Sequence, residues 1–171
     1  HEIYSFYSQN GEFNHQKGID AVIKSIENMK ETIKEDGILV IFDGVDSIHR
    51  NKVIRIRLKT KEALNSFYKF FEEYKFNKIS FKKITDDTFD IKYSTFTKFI
   101  TKHRFLNNIV WEIESEECYQ YFTPDEFRST LEILGTEVEE LALFSPNTGK
   151  WTEVVEILNS KFNFPDEHIL I

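Results

Sequence analysis

Two aspartates three residues apart, Asp43 and Asp46, follow the most continuous short apolar run of the chain, ILVIF at 38–42. A carboxylate at the end of a buried strand is a position from which a hydrolase can hold a divalent cation, so Asp43 and Asp46 form a candidate metal site. No glycine-rich phosphate loop precedes the run, and no further acidic strand ends follow it. The competing reading is a turn in which Asp43-Gly44 caps local backbone groups, and the short motif favours it. No G-x-S-x-G or H-E-x-x-H pattern is present. The five histidines are scattered without metal-ligand spacing. Cys118 sits among glutamates, which raise a thiol's pKa and disfavour a nucleophile. The residues therefore assign no catalytic group and imply no cofactor.

Charge is more informative than any motif. The formal net charge is −7, yet residues 50–83 hold eleven basic residues against three acids, a net of +8. Residues 105–171 hold fourteen acids against three basic residues, a net of −11. Such asymmetry points to a partner or to internal pairing. In the basic segment, Arg55, Arg57, Lys59, Lys78 and Lys82 fall on the outward side of predicted strands, where they could hold phosphates. The third strand offers Thr88, Asp90 and Lys92 on that side, without the aromatics that stack bases. In the acidic segment, Glu112, Glu114, Glu116, Glu117, Asp125 and Glu126 are interleaved with Tyr119, Tyr121 and Phe122. Carboxylates beside aromatics suit a basic protein surface, because rings supply contact area while charge steers encounter. The alternative is that the acidic third packs against the basic segment and neutralises it.

These candidates must be positioned by an α+β sandwich. Apolar residues at three- and four-residue spacing predict a helix over 17–34, and the 38–42 run predicts a strand buried on both faces. That strand could pair as a hairpin with the next. Residues 52–114 then read strand, helix, strand, strand, helix, strand, the order of a ferredoxin-like unit. Its inward residues are Ile54, Ile56 and Leu58, then Leu64, Phe67, Phe71 and Tyr74, then Ile79 and Phe81, then Phe89, Ile91 and Tyr93, then Phe96, Phe99 and Ile100. Ile109, Trp111 and Ile113 would form its closing strand. An α-β-α-β extension follows over 116–171, with a helix opened by Thr123-Pro124-Asp125-Glu126, a strand at 138–144, a helix over 151–162 and a final strand at 168–171. The whole is expected to be one domain, with 2–48 as an N-terminal helix and strand.

At 171 residues the chain can bury a core without metal or disulfide support. One cysteine excludes an intramolecular disulfide and fits a reducing, cytoplasmic compartment. No secretory apolar region opens the chain, and no run approaches the ~18 residues that span a bilayer. Abundant Lys, Asn, Ile and Phe suggest an AT-rich bacterial or phage genome. The leading expectation is a non-enzymatic inhibitor of the immunity, antitoxin or anti-defence type, occluding a protein partner with a basic surface. A nucleotide- or nucleic-acid-binding regulator comes second, and a metal-dependent hydrolase third.

Overall fold

The structure, a computed structural model, describes residues 14–75, 79–158 and 161–171. Residues 2–10, whose alternation suggests a short strand ending near Asn10-Gly11, and Lys78 lie outside these residues. The first element among the described residues is α1 (His15–Thr32), capped by Asn14, whose side chain accepts from the Lys17 amide. Gly18 faces inward on it, so close to Tyr121 that a β-carbon there would overlap the tyrosine ring.

The centre follows the predicted order as far as its second helix. β2 (Val53–Leu58) alternates as expected, burying Ile54, Ile56 and Leu58 and exposing Val53, Arg55 and Arg57. Thr60 caps α2 (Lys61–Glu73), whose Phe67 and Phe70 are fully buried. β3 (Phe81–Lys83) and β4 (Thr88–Lys92) form a hairpin, and α3 (Tyr93–Lys102) follows. β4 pairs antiparallel with both β2 and β3, so β2 and β3 run the same way with β4 between them. Both helices cover one face of this sheet. Phe67 is the hub of that layer, with ring centroids 4.5 Å from Phe89, 5.0 Å from Phe81 and 5.3 Å from Phe99.

The closing strand is not where the spacing places it. Residues 109–113 contain a helical turn, α4 (Trp111–Glu114), after a 3-10 turn at His103–Phe105. Trp111 is buried, but Ile109 is 95% exposed, so the alternation does not mark one inward face. The fourth place beside β2 belongs to β6 (Val155–Ile157), which gives the sheet order β3-β4-β2-β6. The helix expected over 151–162 therefore stops early: α6 (Thr148–Val154) runs straight into β6. Val154, Val155, Ile157 and Leu158 suit either period.

β1 (Phe42–Gly44) also differs from expectation. It pairs with the C-terminal strand β7 (His168–Leu170), which pairs in turn with β5 (Ala142–Phe144), in a separate antiparallel sheet of order β1-β7-β5. The 38–42 run is thus neither a hairpin partner of β2 nor buried on both faces. Ile41 is buried and exchanges backbone hydrogen bonds with Ile171, while Ile38 and Val40 are 75% and 68% exposed. α5 (Pro124–Ile133) begins as read, with a capping box between Thr123 and Glu126. Gly135 follows it with φ 75°, the left-handed turn that favours glycine after a helix.

Candidate functional site

The element that organises the polar interior is α3. Eight of its ten residues are buried, and Lys98 and Lys102, one helical turn apart, are among them. No sequence motif marks them. The available signal is that YSTFTKFITK has no charged face, only hydroxyls and rings, so its two lysines have no solvated side to share.

Lys102 has no exposed side-chain surface, and its Nζ lies 2.9 Å from Glu114 Oε2. It also stands 4.4 Å from the Tyr119 ring centroid. Tyr119 Oη donates to Glu114 Oε2 at 2.9 Å and to Glu117. Burial pulls the Lys102 pKa below the usual lysine value, against the pull of Glu114. Burial and the two carboxylates push the Tyr119 hydroxyl far above its usual range. Beside them Cys118 is a buried free thiol, raised by burial. Lys102 is sealed at the centre of this cluster, while Tyr119 and Glu117 at its edge are half-buried.

The predicted acidic surface is therefore largely an interior and an intramolecular seam. Glu114 belongs to the Lys102 cluster, Glu116 pairs with Lys75, and Tyr121 is buried and stacks on His15 at 5.3 Å. Glu126 takes a bidentate guanidinium from Arg50, at 2.6 and 2.8 Å. Glu112 and Asp125 remain exposed.

The basic sheet face is paired too. Arg55 donates to both oxygens of Asp90, at 2.7 and 2.9 Å, and Lys82 lies opposite Asp90 in the register. Arg57 donates to Glu156, and Lys59 Nζ to the Thr152 carbonyl. Hydrogen bonds from the arginines hold the Asp90 and Glu156 carboxyls below their usual range. Arg50–Glu126, Arg57–Glu156 and Lys75–Glu116 all join the basic segment to the acidic tail. Three of the eleven basic residues of that segment thus pair with the acidic tail inside one chain.

Asp43 and Asp46 turn to different surroundings. Asp43 accepts from the Gly44 amide at 2.7 Å, the expected local backbone cap, but it does so within strand β1 rather than in a turn, and burial raises its pKa. Asp46 is buried, accepts from the Ser47 amide at 2.9 Å with Oδ1, and stands 3.8 Å from Lys98 with Oδ2. Among the described residues no three His, Cys, Asp or Glu side chains gather as a metal site would need.

Two surface features remain. An open cleft of about 770 Å³ lies where α1, the 46–51 turn, α3 and α5 meet, and Lys98 reaches into it. A groove of about 750 Å³ lies between 35–41 and 135–140, with Ile38 and Val40 on its lining. Glu35, Asp36, Glu137, Glu139 and Glu140 line it too; all five are exposed, and none forms an ion pair among the described residues. No described helix is long and apolar enough to cross a membrane.

No family model, curated protein or solved structure matches the chain.

Proposed function

We propose that the chain is a cytoplasmic protein-binding module of the inhibitor type, occluding a partner that presents a basic surface. The observation that carries this reading is the groove between 35–41 and 135–140. Ile38 and Val40 stand exposed beside five carboxylates that form no ion pair among the described residues, and Lys30, the cation on the same lining, donates to the Leu134 carbonyl. An apolar centre with a charged rim is how protein interfaces combine contact area with steered encounter. The proposal moves the contact surface away from Glu114, Glu116, Tyr121 and Glu126, whose polar groups or rings are occupied within the fold. Glu112 and Asp125 add exposed negative charge outside the groove. The same reading takes the four-stranded sheet as a ferredoxin-like scaffold closed by β6 rather than by residues 109–113.

The test is affinity capture from the source cell with the native chain, a Glu137→Lys/Glu139→Lys/Glu140→Lys variant and a Val40→Asp variant. A basic protein retained by the native chain and by Glu112→Lys, but lost from both groove variants, is the expected result. It must also form a stoichiometric complex with the chain when purified. Retention that ignores both groove variants would sink the proposal.

A further inference from the structure

The two lysines of α3 are held in opposite ways, and the contrast marks a site. Lys102 is sealed, with its carboxylate at 2.9 Å. The Lys98 side chain is 10% exposed, and its one ion-pair partner among the described residues, Asp46 Oδ2, stands at 3.8 Å, too far for a hydrogen bond. Buried charges are ordinarily paired and hydrogen-bonded, because a desolvated ammonium without acceptors is costly. Lys98 and Asp46 both line the cleft, so the vacant capacity of the pair opens onto it. Gln120 lines the same cleft and has a buried Oε1 without a hydrogen-bond partner among the described residues.

The rest of the lining narrows the ligand. Arg50 is occupied by Glu126, so Lys98 is the cation available to an anionic group. Asp46, Asp125 and Glu126 outnumber Lys98 and Arg50 around the cleft, which opposes a multiply charged anion such as phosphate. Asp46 Oδ2, adjacent to Lys98, calls for a donor next to the anion. The aromatic and aliphatic lining, Tyr121 and Ile19 among it, suits a partly apolar body. The volume falls within the range of roughly 300–1,000 Å³ typical of small-molecule sites.

We infer that this cleft binds a small zwitterion of the α-amino-acid class, its carboxylate on Lys98 Nζ and its ammonium on Asp46 Oδ2. The ligand lies across the two charges from the cleft side and completes the hydrogen bonds that the pair leaves unmade. The inference is independent of the groove proposed above as a protein contact, which other residues line.

Calorimetry and ligand-observed NMR on the whole chain, with each standard L-amino acid as probe, test it. Saturable binding of at least one amino acid is expected, weakened about thirtyfold or more by Lys98→Met, the range for truncating one partner of a buried charge pair. Ser129→Trp fills the cleft from an exposed rim position and should abolish binding while leaving the circular dichroism spectrum native, which guards against a Lys98 variant that fails to fold. Acetate, an anion without the donor, should bind at least about tenfold more weakly, since Asp46 then gains no partner. Failure of every amino acid to bind, binding indifferent to Ser129→Trp, or acetate binding as tightly as the amino acid would each overturn the assignment.

Discussion

Lys102 Nζ lies 2.9 Å from Glu114 Oε2, and no part of the lysine side chain reaches solvent. The pair joins α3 to α4, the turn that stands where the sequence pattern predicts a strand. Tyr119 closes over it with a hydrogen bond to the same carboxylate oxygen and its ring near the ammonium. Its geometry makes it a structural ion pair, and the cost of disturbing it should be asymmetric.

Removing one partner leaves the other charge buried without compensation. Lys102→Met should destabilise the fold by about 3–5 kcal/mol, measured by urea denaturation at neutral pH. Replacing both partners, Lys102→Met with Glu114→Leu, should recover much of that loss, because an apolar pair of similar volume needs no desolvated counter-ion. A single variant within about 0.5 kcal/mol of the native chain would show that water reaches the pair and that it is not sealed.

Alkaline titration should separate the tyrosines. Burial pushes Tyr93 up to about 12 and also lifts Tyr74, Tyr119 and Tyr121 well above the usual tyrosine range. Their folded pKa values exceed the unfolded value of about 10, so their contribution to stability is intact below pH ~10 and is lost as pH rises above it. Lys102 acts with the opposite sign, since its depressed pKa makes the unfolded chain the better proton binder up to about pH 10. Phenolate absorbance and far-ultraviolet circular dichroism, followed together, should show these four tyrosines ionising with loss of the fold. Smooth ionisation of every tyrosine near pH 10 with the dichroism unchanged would contradict the burial.

The sequence pattern reveals elements where one period dominates and where caps are local. β2 alternates strictly, Thr60 and Thr123 cap the helices that follow them, and the Phe67 face of α2 repeats at three and four. It misleads where a few apolar residues satisfy two periods. Ile109, Trp111 and Ile113 alternate like a strand, yet only the tryptophan is buried. Val155 and Ile157 sit in a run that also fits a helix, so the strand completing the sheet beside β2 is hidden. The cleft is still less accessible to pattern reading. His15, Asp46, Lys98 and Gln120 come from four distant segments, and nothing in their local spacing links them. The charge asymmetry, by contrast, is plain in the sequence, but whether it faces outward or inward depends on tertiary pairs such as Arg50–Glu126.

One glycine ties the N-terminal helix to that cleft and gives the last prediction. Gly18 packs on α1 against the Tyr121 ring with no room for a β-carbon, and Tyr121 is held in turn by stacking on His15. In an exposed helix, glycine to alanine stabilises by up to about 1 kcal/mol, because alanine has the better helix propensity. Here the sign should reverse. The ring must shift or α1 must lift, and overpacking of this kind costs about 1–3 kcal/mol. Gly18→Ala should therefore lower the melting temperature, while Gly18→Ala combined with Tyr121→Leu should restore part of the loss by opening space at the contact. If Gly18→Ala alone raises the melting temperature, α1 is not seated on Tyr121, and the cleft wall that the two form together is misplaced.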